Sequence, residues 1–343
     1  MILLGCAVAV IVTVVSIRLL SPVAPRLNLI DYPGGRKQHT TVKPLIGGIA
    51  LFMGFASAML SLPISLIGYR PFAAAGFLLI FMGILDDMHE LSARARLGAE
   101  IIASLLMAVW AGISLNNLGP VMGHVDLTLG WFAVPFTVFA VVGLINAVNM
   151  LDGSDGLAGT LTLTQLFLFA LAAVQAHFFV EARIILLLMS ALLGFLVFNF
   201  PFSSKKPAPV FMGDAGSMFL GFALGWFAIY LSQPPHQALY PVSVLWILGL
   251  TLWDAVRVIL FRLLEGRSPL KPDRNHLHHV LQDAGYSPLI ICLLMGGANL
   301  VLGGVGLVAN QMQLSATLLF GLYLVSFMLF CFLMREGKKR CCV

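Results

Sequence analysis

Apolar residues run in blocks of about twenty along nearly the whole chain, and polar residues gather in the short gaps between blocks. The blocks fall at roughly 2–22, 45–66, 71–87, 98–115, 131–150, 158–177, 183–200, 213–231, 240–263, 287–309 and 314–334. Stretches of that length match the thickness of a bilayer, so the pattern predicts an all-α polytopic membrane protein of about eleven transmembrane helices. The first block starts at Met1 without a basic leader or a small-residue cleavage site, which reads as a retained helix. No linker, low-complexity tract or internal repeat divides residues 1–343, so one integral membrane domain is expected.

Composition agrees with that pattern. With 59% hydrophobic and 10% charged residues, a soluble fold could not cover its apolar surface. Most basic residues fall after odd-numbered blocks, among them Lys43, Arg94, Arg96, Lys205, Arg267 and Lys271, whereas the opposite gaps keep Arg70 and Arg183. The positive-inside rule then puts the N-terminus outside and the C-terminus in the cytoplasm. The net charge of +5 follows from this bias and calls for no nucleic-acid partner. The five cysteines show no paired spacing, and neither a disulfide framework nor a zinc site is expected.

The polar positions that break the pattern carry the chemistry. Asn146 to Gly159 reads NAVNMLDGSDGLAG at the end of the fifth block. Asn146, Asn149 and Asp152 are three apart and share one helix face, and Gly153 and Gly156 let the chain turn so that Asp155 returns to the same place. Amides and carboxylates at a membrane boundary are costly unless they bind something, most simply a divalent metal and its anionic ligand. The third block ends in Asp86-Asp87, adjacent acids at a helix C-terminus where the dipole disfavours them. In water they would be ordinary solvated aspartates; near magnesium or a phosphate proton their placement is explained.

Three more clusters fall on the same expected face. Asp31 to His39 holds Arg36, Lys37 and His39 in a Gly-rich turn that suits a phosphate or nucleotide, or simply anchors topology. Phe211-Met-Gly213-Asp214-Ala-Gly216-Ser217 opens the eighth block, where backbone N–H groups face an anion or Asp214 acts as an N-cap. Asp273-Arg274-Asn-His276-Leu-His278-His279 sets three histidines beside Arg267, Lys271 and Arg274, which favours an anion over zinc. Asp254 and Arg257, three apart inside the ninth block, read as a buried structural ion pair. Five clusters from distant positions meeting at one membrane face would join a phosphorylated soluble substrate to a lipid.

These motifs, in this order and at matching block ends, resemble the polyprenyl-phosphate N-acetylhexosamine-1-phosphate transferase family over nearly the whole chain. The first and last look most like the bacterial enzymes that transfer GlcNAc-1-phosphate to undecaprenyl phosphate, and less like the phospho-MurNAc-pentapeptide branch. The resemblance implies UDP-GlcNAc and undecaprenyl phosphate as substrates and magnesium, with manganese acceptable, as cofactor. It implies a site on the cytoplasmic face of the bacterial inner membrane; a homodimer is compatible. By similarity Asp214, helped by Asn149, would hold the metal, and Asp86, Asp87, Asp152 and Asp155 would be the essential acids. Phe211 would stack on uracil, with Gly213, Ser217 and Asn146 around the substrate. Arg274, His276, His278 and His279 would contact sugar or diphosphate. Rival readings are the same chemistry on another UDP-N-acetylhexosamine, an intramembrane prenyltransferase, or an ion-coupled transporter, which would keep its ionisable groups nearer mid-membrane.

Overall fold

Small residues decide how the helices meet. In a computed structural model describing residues 2–32, 42–63, 65–202, 207–267 and 275–341, with side chains as far as Arg335, the chain folds as a helical bundle. Its helices are α1 (Ile2–Leu20), α2 (Gly47–Leu60), α3 (Arg70–His89), α4 (Ala93–Leu105), α5 (Ala133–Leu151), α6 (Leu157–Gln175) and α7 (Phe179–Asn199). They continue with α8 (Gly213–Tyr230), α9 (Pro241–Ile247), α10 (Gly249–Leu264), α11 (Leu277–Asp283), α12 (Pro288–Gln311) and α13 (Ala316–Cys341). The described residues contain one sheet, a two-stranded antiparallel ribbon of β1 (Ile30–Asp31) and β2 (Lys43–Pro44).

Every expected span coincides with a helix, but not every helix is long and apolar enough to cross a membrane. Among the described residues seven qualify, or eight if α9 and α10, bent by 81°, count as one. This is fewer than the eleven read from the blocks. The reasons are local. Helix α2 has 14 residues, about 21 Å against a hydrocarbon core of about 30 Å. Helix α4 starts with Arg94, Arg96 and Glu100, and its apolar end changes to a π turn at Leu106–Trp110. Helix α8 carries Asp214 and several glycines, which lower its hydropathy although it is the most enclosed helix. An apolar block therefore reports burial as readily as contact with lipid, and α8 is buried by protein. The chain is an all-α polytopic membrane protein.

Helix α8 runs through the centre against α2, α3 and α5. Its approach is backbone to backbone: a Cβ on Gly48 would lie 2.1 Å from the Gly216 nitrogen, and one on Gly83 would lie 2.2 Å from the Ala215 Cα. Around this seam, Phe72 packs edge-on to Trp226 and Phe219 and lies beside Phe222. The close packing brings the C-termini of α3 and α5 and the N-termini of α2, α6 and α8 to one end of the bundle. There the α2 N-terminus is joined to the chain entering α8, since Gly47 and Gly48 N–H donate to the carbonyls of Phe211 and Met212 at 3.0 and 2.8 Å.

Candidate active site

A cavity of about 880 Å³ opens at that end. Its walls include Asp31, Asp86, Asp87, Glu90, Asp152, Asp155 and Asp214, against which the described lining sets Lys43 and Arg96 as its lysine and arginine. Asn149, Phe211, Gly213 and His279 also face it.

The carboxylates are held by specific donors. Gly213 adopts φ +74°, the left-handed region, so that the Asp214 N–H reaches Asp87 Oδ1 at 3.1 Å. A Cβ on Gly213 would meet Asp87 Oδ2 at 2.6 Å, and that buried oxygen has no hydrogen-bond partner among the described residues. Asn149 Nδ2 donates to Asp214 Oδ1 at 2.6 Å and to Ser217 Oγ at 2.9 Å, which ties α5 to α8. Asp86 is turned back into its own helix end: Oδ1 accepts from Leu91 N–H at 2.7 Å and Oδ2 pairs with Arg96 at 3.0 Å. The same guanidinium lies 3.5 Å from Asp214 Oδ2. Asp152, beyond the end of α5, has its carboxyl pushed well above the usual range by burial and by the negative charges of Asp214, Asp87 and Asp155.

A second part of the cavity is organised around Asp155. Lys43, almost fully buried at the end of the ribbon, approaches Asp155 Oδ1 at 3.5 Å and lies 4.2 Å from the centre of the Phe211 ring. Ala208 N–H donates to Asp155 Oδ2 at 2.8 Å, while Asn199 accepts from Gly156 N–H and donates to the Val210 carbonyl. An aromatic face, a cation and a carboxylate are thus fixed together, a set suited to a planar polar ring.

Several expected residues are placed differently from their neighbours in sequence. Asn146 lies one turn deeper than Asn149, and its Nδ2 donates to Glu100 Oε2 at 2.6 Å. His279 lines the cavity, with its Nδ1 within hydrogen-bond reach of Gln282 Oε1 at 3.1 Å. His278 is buried beside Gly153, where an added Cβ would come within 2.9 Å of its Nε2. His276 is buried against Asp254 at 2.8 Å and does not line the cavity. Asp254 and Arg257 form the expected ion pair at 3.1 Å. Arg36, Lys37, His39 and Arg274 lie outside the described residues.

Sequence reading gave Lys43 and Arg96 only a topological role and passed over Glu100 and Asn199. The available signal for Arg96 was local: a base one turn into the helix that follows an acid pair at a helix end. For Lys43 and Asn199, whose partners are distant in the chain, no local spacing was available.

The described residues contain no group of three or more His, Cys, Asp or Glu set to hold a metal. Magnesium does not need such a cage, because it keeps several waters and is bound by one or two carboxylates together with substrate phosphates. Among the described residues, the Asp87 oxygen without a hydrogen-bond partner, the adjacent Asp214 and the excess of acid over base in the walls fit that kind of site.

A carboxylate-lined cavity at the end of an apolar helical bundle, with an aromatic and basic corner, defines a membrane-embedded enzyme acting on anionic groups. The chain belongs to glycosyl transferase family 4, whose profile matches residues 69–232. It is 31% identical over 318 residues to the undecaprenyl-phosphate alpha-N-acetylglucosaminyl 1-phosphate transferase of Yersinia pestis, covering 92% of this chain and 87% of that one. The Escherichia coli K12 protein of the same name is 30% identical over 323 residues, with 92% and 86% covered. A probable undecaprenyl-phosphate N-acetylglucosaminyl 1-phosphate transferase of Bacillus subtilis is 31% identical over 288 residues, with 82% and 78% covered.

Proposed function

We propose that this protein transfers GlcNAc-1-phosphate from UDP-GlcNAc to undecaprenyl phosphate, giving undecaprenyl-diphospho-GlcNAc and UMP. The reading is supported above all by one arrangement: acids at the end of α3, just beyond α5 and at the start of α8 converge on one cavity beside membrane-length helices. The cavity faces the cytoplasm of a bacterial inner membrane, with the N-terminus outside and the C-terminus inside. The product is the first lipid-linked sugar of a surface polysaccharide.

In the reaction an oxygen of the lipid phosphate attacks the phosphorus that bears the sugar, and the bond from that phosphorus to the oxygen of UMP breaks. The nucleophile is already an anionic oxygen, so the protein's task is to hold like charges together in line. Phe211 stacks on the uracil, with Lys43 and Asp155 at its edge. Arg96, anchored by Asp86 and Asp214, directs a positive charge to the phosphates. Asp87 Oδ2 is the acid oxygen left to take the lipid-phosphate proton or to meet a metal. Asp214 and Asn149 would hold magnesium, which when bound neutralises the diphosphate and the charge appearing on the leaving UMP. Attack is direct, without an aspartyl intermediate; a phosphosugar trapped on Asp86 or Asp87 after mixing with UDP-sugar alone would refute this.

The test is UMP release from UDP-GlcNAc by purified protein, with and without undecaprenyl phosphate and magnesium. Release should require both additions and be lost in Asp214→Asn. Release from a different UDP-N-acetylhexosamine alone would keep the chemistry and change the donor.

A further inference from the structure

The histidine loop raises a question that the active-site reading leaves open. Three histidines lie within four residues, yet their surroundings differ: His279 lines the cavity, His278 packs beside Gly153 with its ring 4.1 Å from that of His279, and His276 lies behind it, buried, with its ring 5.9 Å from that of His278. What surrounds His276 is a set of contacts from α10. Asp254, 1% exposed, receives His276 Nδ1 on Oδ2 at 2.8 Å and the Leu277 N–H on Oδ1 at 2.8 Å. Arg257, one turn along the same helix, pairs with Asp254 at 3.1 Å and donates through Nη2 to the Asn275 carbonyl. Three consecutive residues, 275 to 277, are therefore gripped by two side chains of α10 where the chain enters α11. Arg257 also lies over the Phe330 ring of α13 at 5.8 Å, so the grip is seated between two helices.

A purely structural ion pair would need only Asp254 and Arg257. Here each of the two spends further hydrogen-bonding capacity on the loop, and the carboxylate accepts a side-chain and a backbone donor from adjacent residues. A carboxylate with two such acceptors fixes both the position and the orientation of a segment. The next two residues are His278 and His279, so an error at Asn275–Leu277 passes directly to the His279 ring at the cavity.

We propose that Asp254, Arg257 and His276 form a clasp that positions the histidine loop, and that His276 is a positioning residue which does not touch the substrate. His279 is the member of the cluster presented to the sugar-phosphate. This assignment rests on the proposed transferase reaction for its activity readout, but the clasp itself can be measured without turnover.

The experiment compares His276→Ala, His276→Asn and Asp254→Asn in detergent-purified protein. His276→Ala carries the main test because it leaves the Asp254–Arg257 pair intact, whereas losing the carboxylate strands Arg257 and risks unfolding. Amide hydrogen exchange is followed across residues 275–283, together with UMP release. His276→Ala is expected to speed exchange in that segment, leave the rest of the protein unchanged, and lower turnover on the order of 10²-fold, the scale of a displaced reacting group. His276→Asn places an amide donor where Nδ1 sits, and is expected to restore both protection and near-normal turnover. The double variant His276→Ala with Asp254→Asn should lose less than the product of the two single losses, since the two substitutions share the His276–Asp254 contact. The proposal is overturned if His276→Asn is as inactive as His276→Ala with exchange unchanged, which would put the imidazole on the substrate. Multiplying losses in the double variant would also overturn it. If no protein turns over UDP-GlcNAc, the exchange results still decide the clasp, and only the transferase reading fails.

Discussion

At Gly213 one missing side-chain atom holds two acids at a working distance. The left-handed backbone turns the Asp214 N–H onto Asp87 Oδ1, and a Cβ there would collide with Asp87 Oδ2, which has no hydrogen-bond partner among the described residues. Gly213→Ala is expected to cost about 1–2 kcal/mol in backbone strain. It should reduce UMP release far more than it lowers the melting temperature, because the displaced carboxylate is Asp87. Equal activity in a folded Gly213→Ala protein would remove Asp87 from the reaction. Lys43 makes a prediction of a different kind. Replacing it with Gln removes the cation above Phe211 and leaves Asp155 without its buried partner. The expected result is a KM for UDP-GlcNAc raised about tenfold with kcat less affected, the mark of a group that binds donor in ground and transition state alike. A fall in kcat at constant KM would instead place Lys43 on the reacting phosphates.

Between elements, the tolerance of a glycine depends on what its helix faces. Gly83 meets the α8 backbone, so Gly83→Val must push α3 from α8 and separate Asp86 and Asp87 from Asp214. Overpacking of this kind costs about 1–3 kcal/mol or more, and both thermal stability in detergent and activity should fall together. Gly98, in the interior of α4, has nothing near its would-be Cβ. Gly98→Ala should leave activity intact and stabilise α4 by about 0.5–1 kcal/mol. The pair of variants, followed by melting curves and UMP release, separates packing at the α3–α8 seam from a general intolerance of added methyl groups.

For the whole molecule the decisive property is orientation. If the cavity faces the cytoplasm, a cysteine placed at Arg94 reacts with an impermeant maleimide only after cells are opened, whereas one at His124, between α4 and α5, reacts in intact spheroplasts. The opposite pattern would invert the topology. Metal dependence belongs to the same scale, because the charges come from several helices. Chelation should abolish UMP release and added magnesium should restore it, with manganese as a substitute. Activity that survives complete chelation would leave the acid-rich walls to be explained by some other cation.

The chain order alone reveals a polytopic helical protein, and its polar clusters point to one end of the bundle. Blocks of apolar residues must leave water, and interruptions such as Asn149, Asp152, Asp86 and Asp214 stand out because each is costly where it lies. Spacing also sufficed for contacts within a turn or two, such as Asp254 with Arg257. What spacing could not reveal is whether an apolar helix meets lipid or protein, since both solvents select the same residues; α8, enclosed by the other helices, reads in sequence like any lipid-facing span. It could not join Lys43 to Asp155, or Asn149 to Asp214, whose partners lie far apart in the chain. Nor could it separate His276 from His279, identical residues one helical turn apart, because only the packing of α10 determines which ring is held and which faces the cavity. Local sequence fixes cost and periodicity, whereas partnership between distant groups exists only once the helices have closed.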